Sequence, residues 1–128
     1  MMKIKKLALF LLISTSVMAL DIYDDVSNAI RSGDAKQIAT FFGNTIELTI
    51  GDKESIYSKA QAEFILIDFF TKNPPKTFVI LHKGASPEGT QYAIGNLLTT
   101  NGKNFRTSFY LKISNGKNQL QQLRIENE

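Results

Sequence analysis

Four predicted strands joined by short turns occupy the second half of the chain and restrict the folds open to it. The strands cover residues 76–84, 91–99, 104–113 and 119–125. Asn101-Gly102 and Asn115-Gly116 are dipeptides typical of tight hairpins, and a longer glycine-containing turn covers residues 84–89. Because short connections force successive strands to pair antiparallel, the sequence predicts a four-stranded antiparallel meander.

Two short helices are predicted at the start of the polar part of the chain. Residues 21–32 place apolar side chains on one face of a 3.6-residue period, and acidic residues crowd the first turn. Gly33 ends this helix, and Asp34 is the expected N-cap of a second helix that reaches Phe42. Together the two helices would form a helical hairpin.

A short β-hairpin and a long helix connect the helical hairpin to the meander. Residues 45–50 and 54–57 are predicted to be two strands around a Gly-Asp turn. Ser58 and Gln61 have the spacing of a capping box, which predicts a helix that begins there and runs to about Lys72. Two prolines then end this helix, because proline cannot continue it. The predicted class is α+β.

The first nineteen residues have the three-part pattern of an export signal. Lys3, Lys5 and Lys6 precede an apolar run, and small residues stand before an expected cleavage point after Ala19. The apolar stretch has about twelve residues, whereas a membrane-spanning helix needs about 20. We therefore expect a signal peptide at 1–19, a single domain at 20–128, and a periplasmic or extracellular protein without stable membrane insertion after cleavage.

Removal of the signal changes the electrostatic character of the chain. The three lysines that leave with it account for the whole excess of basic over acidic residues, 15 against 12. The mature chain is formally neutral, so its charge does not favour nucleic acid as a partner. The chain has no cysteine, which excludes disulfides, a lipid anchor and cysteine nucleophiles. Stability must therefore come from packing, to which nine phenylalanines contribute much of the apolar area.

Five segments carry a family resemblance over essentially the whole mature chain: AIRSGDAKQIATFF, IELTI, SKAQAEFILIDFF, YAIGNLLTT and FRTSFYLKI. They resemble the nuclear transport factor 2-like superfamily, and most closely an exported bacterial family of unknown function (domain of unknown function 4783). The resemblance implies a cone-like α+β fold, in which the meander curves around the long helix. It implies no single chemistry, because the superfamily includes enzymes, binding modules and scaffolds.

The resemblance also implies a space between the long helix and the sheet, either packed or open as a ligand pocket. The side chains expected to line it are Tyr57, Leu66, Phe69, Phe70, His82, Tyr92 and Asn96. Tyr92 and Asn96 point to the same side of their strand, and we expect that side to face inward. There the two side chains would either bind a ligand or pack as ordinary core residues. Gly95, in the opposite phase, indicates a bulge or a close approach of backbones.

Two side chains are weak candidates for catalysis. Asp68 lies in the most apolar helix, where an enclosed carboxylate could transfer protons, although its position also suits a solvated helix flank. His82 is the single histidine and could act as a general base, although a hydrogen-bonded place at a strand end suits it as well. One histidine without cysteine does not favour a transition-metal site, and no motif indicates a cofactor.

One strand of the meander carries a polar stripe that could dock a partner. The stripe consists of Arg106, Ser108, Tyr110 and Lys112, opposite an apolar phase of the same strand. Arginine and tyrosine are enriched at interfaces, although a solvated sheet face has the same pattern. A second copy of the chain is one partner that such a face could bind.

The sequence therefore favours an exported, non-enzymatic module that binds a small ligand or a protein. The alternative is a small-molecule isomerase, dehydratase or hydrolase that uses Asp68 or His82 in the cone pocket. A third interpretation is a fully packed scaffold that acts through the outer face of its sheet.

Overall fold

The computed structural model describes residues 21–114 and 116–128, and the predicted signal segment 1–19 lies outside this part of the chain. The elements in chain order are helices α1 (Ile22–Ser32) and α2 (Ala35–Ala39), strands β1 (Phe42–Ile50) and β2 (Lys53–Ser58), helix α3 (Lys59–Lys72), and strands β3 (Pro75–Ala85), β4 (Gln91–Thr99), β5 (Asn104–Ser114) and β6 (Lys117–Asn127). Each predicted helix and strand is present, with shifts of a few residues at several ends.

The predicted caps fix the helix ends. The Asp21 side chain accepts from the backbone N–H of Tyr23 at 3.0 Å, and Gly33 ends α1 in the left-handed region at φ 68°. Ser58 and Gln61 form the predicted capping box of α3. The extension of α2 to Phe42 is wrong, because the segment after Ala39 pairs with β6 instead.

The six strands form one mixed sheet in the order β2-β1-β6-β5-β4-β3. Strands β3 to β6 pair antiparallel, as the predicted meander requires. The four-stranded meander is only part of the sheet, however, because β1 pairs parallel with β6, with Leu48 opposite Leu123. This pairing joins the β1–β2 hairpin to the meander and gives six strands.

The core lies between the helices and one face of the sheet, which we call the inner face. Leu48, Leu97, Phe109 and Leu123 are fully buried on it. The ring of Phe69 on α3 packs edge-on against that of Phe105 on β5, with centroids 5.1 Å apart. Within the described residues no helix is long and apolar enough to cross a bilayer.

A β-bulge at Leu81 sets the direction of His82. Ile80 pairs with Gly95 and His82 pairs with Ile94, so Leu81 is one extra residue in β3. Because successive side chains alternate between faces, the extra residue turns His82 away from the face that Phe78 occupies. His82 therefore lies on the opposite face of the sheet, which we call the outer face, and not on the inner face that its spacing from Phe78 predicts.

The inward phase of β4 is the reverse of the predicted one. Ala93, Gly95 and Leu97 are buried on the inner face, so Tyr92 and Asn96 lie on the outer face. This inner position requires a glycine, because a Cβ at residue 95 would lie 2.5 Å from the Val79 carbonyl oxygen and 2.9 Å from the Phe78 ring. The glycine is thus a point of close approach beside the bulge.

Candidate functional site

The residues predicted to line one pocket are divided among separate environments. Leu66, Phe69 and Phe70 lie in the core, with at most 6% of their surface exposed. Tyr57 is half-buried beside a shallow apolar groove that also contacts Ile65 and the exposed Phe64 of α3. His82, Tyr92 and Asn96 lie on the outer face, across the sheet from this group.

The two candidate catalytic side chains lie far apart in the fold. Asp68 is on the solvent side of α3, where its side chain is 60% exposed and pairs with Lys72 at 3.1 Å. Asp68 therefore lacks the apolar surroundings that a proton-transferring carboxylate at this position would need. His82 is exposed on the outer face, so the two groups cannot act on one substrate atom.

An aromatic row crosses the outer face from β3 to β5; it consists of His82, Tyr92 and Tyr110. The Nε2 atom of His82 lies 3.2 Å from the Tyr92 hydroxyl, and the two ring centroids are 5.7 Å apart. Tyr92 and Tyr110 are cross-strand neighbours with stacked rings, whose centroids are 5.8 Å apart. The row is a continuous polarisable surface, with one ring on each of three adjacent strands.

Gly84 provides the space in which Tyr92 lies. A Cβ at Gly84 would be 2.8 Å from the Tyr92 hydroxyl oxygen and 2.9 Å from the ring carbon that bears it. On its other side, the Gly84 carbonyl accepts a hydrogen bond from the Tyr23 hydroxyl of α1 at 3.0 Å. Burial, with smaller effects of Asp21 and Tyr92, raises the pKa of Tyr23 above its ordinary value of 10.0. The phenol, protonated at neutral pH in any case, therefore remains a donor to a higher pH.

The predicted polar stripe of β5 lies on the same outer face as the aromatic row. Arg106, Ser108, Tyr110 and Lys112 alternate with buried Phe105, Thr107, Phe109 and Leu111, as predicted. Farther across the face, Arg124 of β6 donates to Glu126 at 2.7 Å and to Glu54 at 3.2 Å. The hydrogen bond from Arg124 lowers the pKa of Glu126 and raises the pKa of Arg124 itself. The face therefore carries both signs of charge.

A groove of about 400 Å³ lies at the Tyr110 end of the row, and we call it the amide groove. It is lined by Glu47, Thr90, Tyr110, Lys112, Gln121 and Gln122. Sequence reasoning missed it, because strict alternation would put Gln121 and Gln122 on opposite faces. In residues 21–114 and 116–128 there is no group of three carboxylate, imidazole or thiol side chains placed to hold a metal ion.

The sequence matches the family described as Domain of unknown function (DUF4783) over residues 23–126. Two solved structures of that family are similar to this fold. One, from Bacteroides uniformis, has 25% identity and a TM-score of 0.78, and the alignment covers 84% of this chain and 98% of that chain. The other, from Bacteroides ovatus, has 30% identity and a TM-score of 0.75, with coverages of 81% and 93%.

The fold is also similar to a designed NTF2 protein with a long sheet. The TM-score is 0.63 at 18% identity, and the alignment covers 80% of this chain and 94% of the designed chain. At that identity the likeness concerns the fold alone, and it agrees with the expected nuclear transport factor 2-like architecture. No match was found among curated proteins.

Proposed function

The chain belongs to the DUF4783 family, a domain of unknown function, and from this membership and the geometry above we propose that it is an exported, non-catalytic binding module. Its binding surface is the outer face of the sheet, centred on the aromatic row. The bound species is a small ligand or a protein, a second copy of the chain included.

The aromatic row on an uncovered sheet face is the observation that carries this proposal. In the described part of the chain the buried helix side chains join the core of the inner face. The outer face bears the aromatic row, in which Tyr92 contacts His82 on one side and Tyr110 on the other. Stacked aromatic side chains are rigid and offer large contact areas at little entropic cost. Arg106 and Lys112 on the neighbouring stripe add charged groups at the rim.

The interior supports binding at the surface over chemistry in a cone pocket. Phe69, Phe70 and Phe105 fill the region between α3 and the sheet, where a substrate would have to enter. The enzymatic alternative needs Asp68 or His82 in that region, and both side chains face solvent. The outer face is accessible without any rearrangement of this core.

Export is the second part of the proposal and is tested separately. The positive start, the apolar run and the small residues before Ala19 support cleavage after that residue. We expect the full chain, expressed in an export-competent bacterium, to accumulate outside the cytoplasm with Leu20 as its first residue. Recovery of the intact chain from the cytoplasm or the membrane fraction would contradict this part.

Native mass spectrometry of the mature protein, purified gently from its exported compartment, tests the binding surface. Wild type is expected to carry a bound species or a second copy, and Tyr92→Ala and Tyr110→Ala are expected to lose it. Phe64→Ala is the matched control, because Phe64 is an exposed aromatic residue, 72% accessible, on α3 away from the outer face.

Three results would count against the proposal. A wild-type protein that carries neither ligand nor partner would contradict a binding module of this kind. If both tyrosine variants keep the bound species and Phe64→Ala loses it, the binding site lies on the α3 side of the protein. Turnover of a recovered small molecule that either Asp68→Asn or His82→Ala abolishes would instead support the enzymatic alternative.

A further inference from the structure

Two irregularities in neighbouring strands build the amide groove. Tyr110 pairs with Gln122 and Leu111 pairs with Leu120, so Gln121 is an extra residue that makes a β-bulge in β6. In β1 the register against β6 also shifts, between Phe42 and Glu47. The bulge brings both glutamine side chains to one groove, and bulges are common where a sheet re-aims side chains next to functional sites.

The side chains of the amide groove are free to bind a ligand. Within residues 21–114 and 116–128, Glu47, Lys112, Gln121 and Gln122 make no side-chain hydrogen bond with the protein. The two carboxamides supply both donors and acceptors, and Glu47 and Lys112 add one acceptor and one donor of opposite charge. Tyr110 stacks on Tyr92 and lines the groove as its aromatic wall.

A polyhydroxylated ligand fits this chemistry better than an apolar or an anionic one. Each sugar hydroxyl both donates and accepts, so it matches carboxamides that do the same. The C–H face of a pyranose ring is apolar and packs against an aromatic side chain such as Tyr110. Glu47 and Lys112 oppose each other in charge, which gives an anionic ligand no net attraction.

We propose that the amide groove binds a neutral saccharide, with one sugar ring against Tyr110 and its hydroxyls on Gln121 and Gln122. The inference rests on the proposed function, since the groove is one end of the same outer face. Its volume of about 400 Å³ lies within the range of roughly 300–1,000 Å³ that is usual for small-ligand sites. Tyr110 belongs both to the groove and to the aromatic row, so a saccharide chain longer than one ring could extend over that row.

Saturation-transfer NMR with the mature protein and four neutral tetrasaccharides tests this assignment. The probes are cellotetraose, maltotetraose, xylotetraose and tetra-N-acetylchitotetraose. Each is used at about 10 mM, a concentration that would half-saturate a site with a Kd of about 10 mM. At least one probe should receive saturation at its ring C–H protons and shift the backbone amides of Tyr110, Gln121 and Gln122. Binding of a neutral probe should not change with salt.

Side-chain variants distinguish a specific binding site from weak, non-specific contact between the probe and the protein surface. Gln121→Ala and Gln122→Ala should each weaken binding about tenfold, because each removes a carboxamide that bonds a hydroxyl. Gln37→Ala on α2 is the matched control, since it removes an exposed glutamine remote from the groove and should leave affinity unchanged. Thermal denaturation of each variant checks that the fold is retained.

Any of three results with the neutral probes would overturn the assignment of a neutral saccharide: no binding of any probe, amide shifts that map elsewhere, or unchanged affinity in both glutamine variants. Salt-sensitive binding of trigalacturonic acid alone would also overturn it, because the ligand would then be anionic. If these failures occur while Tyr92→Ala and Tyr110→Ala still lose the species seen by native mass spectrometry, the sheet-face function stands without the saccharide. If those variants keep that species, the sheet-face function itself fails.

Discussion

Replacement of Gly95 by alanine should strain the sheet at a point where two strands and a buried ring lie close together. Gly95 lies on the inner face of β4, opposite Ile80 and beside the bulge at Leu81. A Cβ at this position would lie 2.5 Å from the carbonyl oxygen of Val79 and 2.9 Å from two carbons of the Phe78 ring. Backbone and a buried ring cannot withdraw as a flexible side chain can, so the strand itself must move.

The expected cost combines strain in the folded state with a change in the unfolded state. Overpacking of a well-packed site costs about 1–3 kcal/mol. Alanine also reduces the freedom of the unfolded chain, which offsets about 0.4–1 kcal/mol of that cost. We expect a net loss of about 1–2 kcal/mol in the free energy of unfolding, and a fall in Tm of about 5–15 °C for a domain of this size.

Urea denaturation and thermal melting of the mature protein measure this loss. Gly43→Ala is the matched control, because Gly43 also lies in a strand but faces only the flexible Gln119 side chain, whose Oε1 would be 2.9 Å from the new Cβ. Gly43→Ala should melt within about 2 °C of wild type, since the amide can rotate away. An unchanged Tm in Gly95→Ala, or equal losses in both variants, would refute the packing argument.

Three further predictions concern single interactions. Ser58→Ala removes the capping box of α3 and should cost about 0.5–2 kcal/mol in urea denaturation, whereas no loss would mean that packing alone fixes this helix start. Tyr23→Phe removes the hydrogen-bond donor to the Gly84 carbonyl and should lower the free energy of unfolding by about 0.5–1.5 kcal/mol. Faster hydrogen exchange of the backbone amides in β3 would show that the loss is local. The depressed pKa of Glu126 means that its pairing with Arg124 stabilises the fold above the ordinary value of 4.5 and is lost as pH falls below it. Glu126→Gln should therefore lower Tm at about pH 7 but not at about pH 3, and an equal deficit at both would contradict this sign.

Local signals in the sequence predicted the helices, apart from the end of α2, and most strand ends to within one residue. Asp21 and Ser58 cap the helices as expected, because capping depends on residues within one turn. The β4 strand has the predicted bounds, Gln91–Thr99, because turn residues stand on both sides of it. The outer position of Arg106 and Tyr110 also followed from alternation alone, since β5 has no bulge before Tyr110.

The errors arose where non-local contacts decide the structure. His82 has the spacing of an inward-facing residue, but the extra residue at Leu81 turns its side chain to the outer face. No local pattern in the sequence predicts that bulge. The parallel pairing of β1 with β6 joins segments far apart in the chain, so no turn signal precedes it. The amide groove depends on the bulge at Gln121 in the same way, and it was not predicted for that reason.

The central claim is that the aromatic row forms the binding surface, and Gly84→Ala tests it without removal of any aromatic ring. The new methyl group would lie 2.8 Å from the Tyr92 hydroxyl oxygen and 2.9–3.1 Å from two ring carbons, so the Tyr92 side chain must shift relative to His82. Native mass spectrometry should then show the bound species on the wild-type protein and a clear loss of occupancy on Gly84→Ala, with the variant still folded by circular dichroism. Full occupancy on a folded Gly84→Ala protein, with Tyr92 shown by NMR to have moved, would contradict the claim.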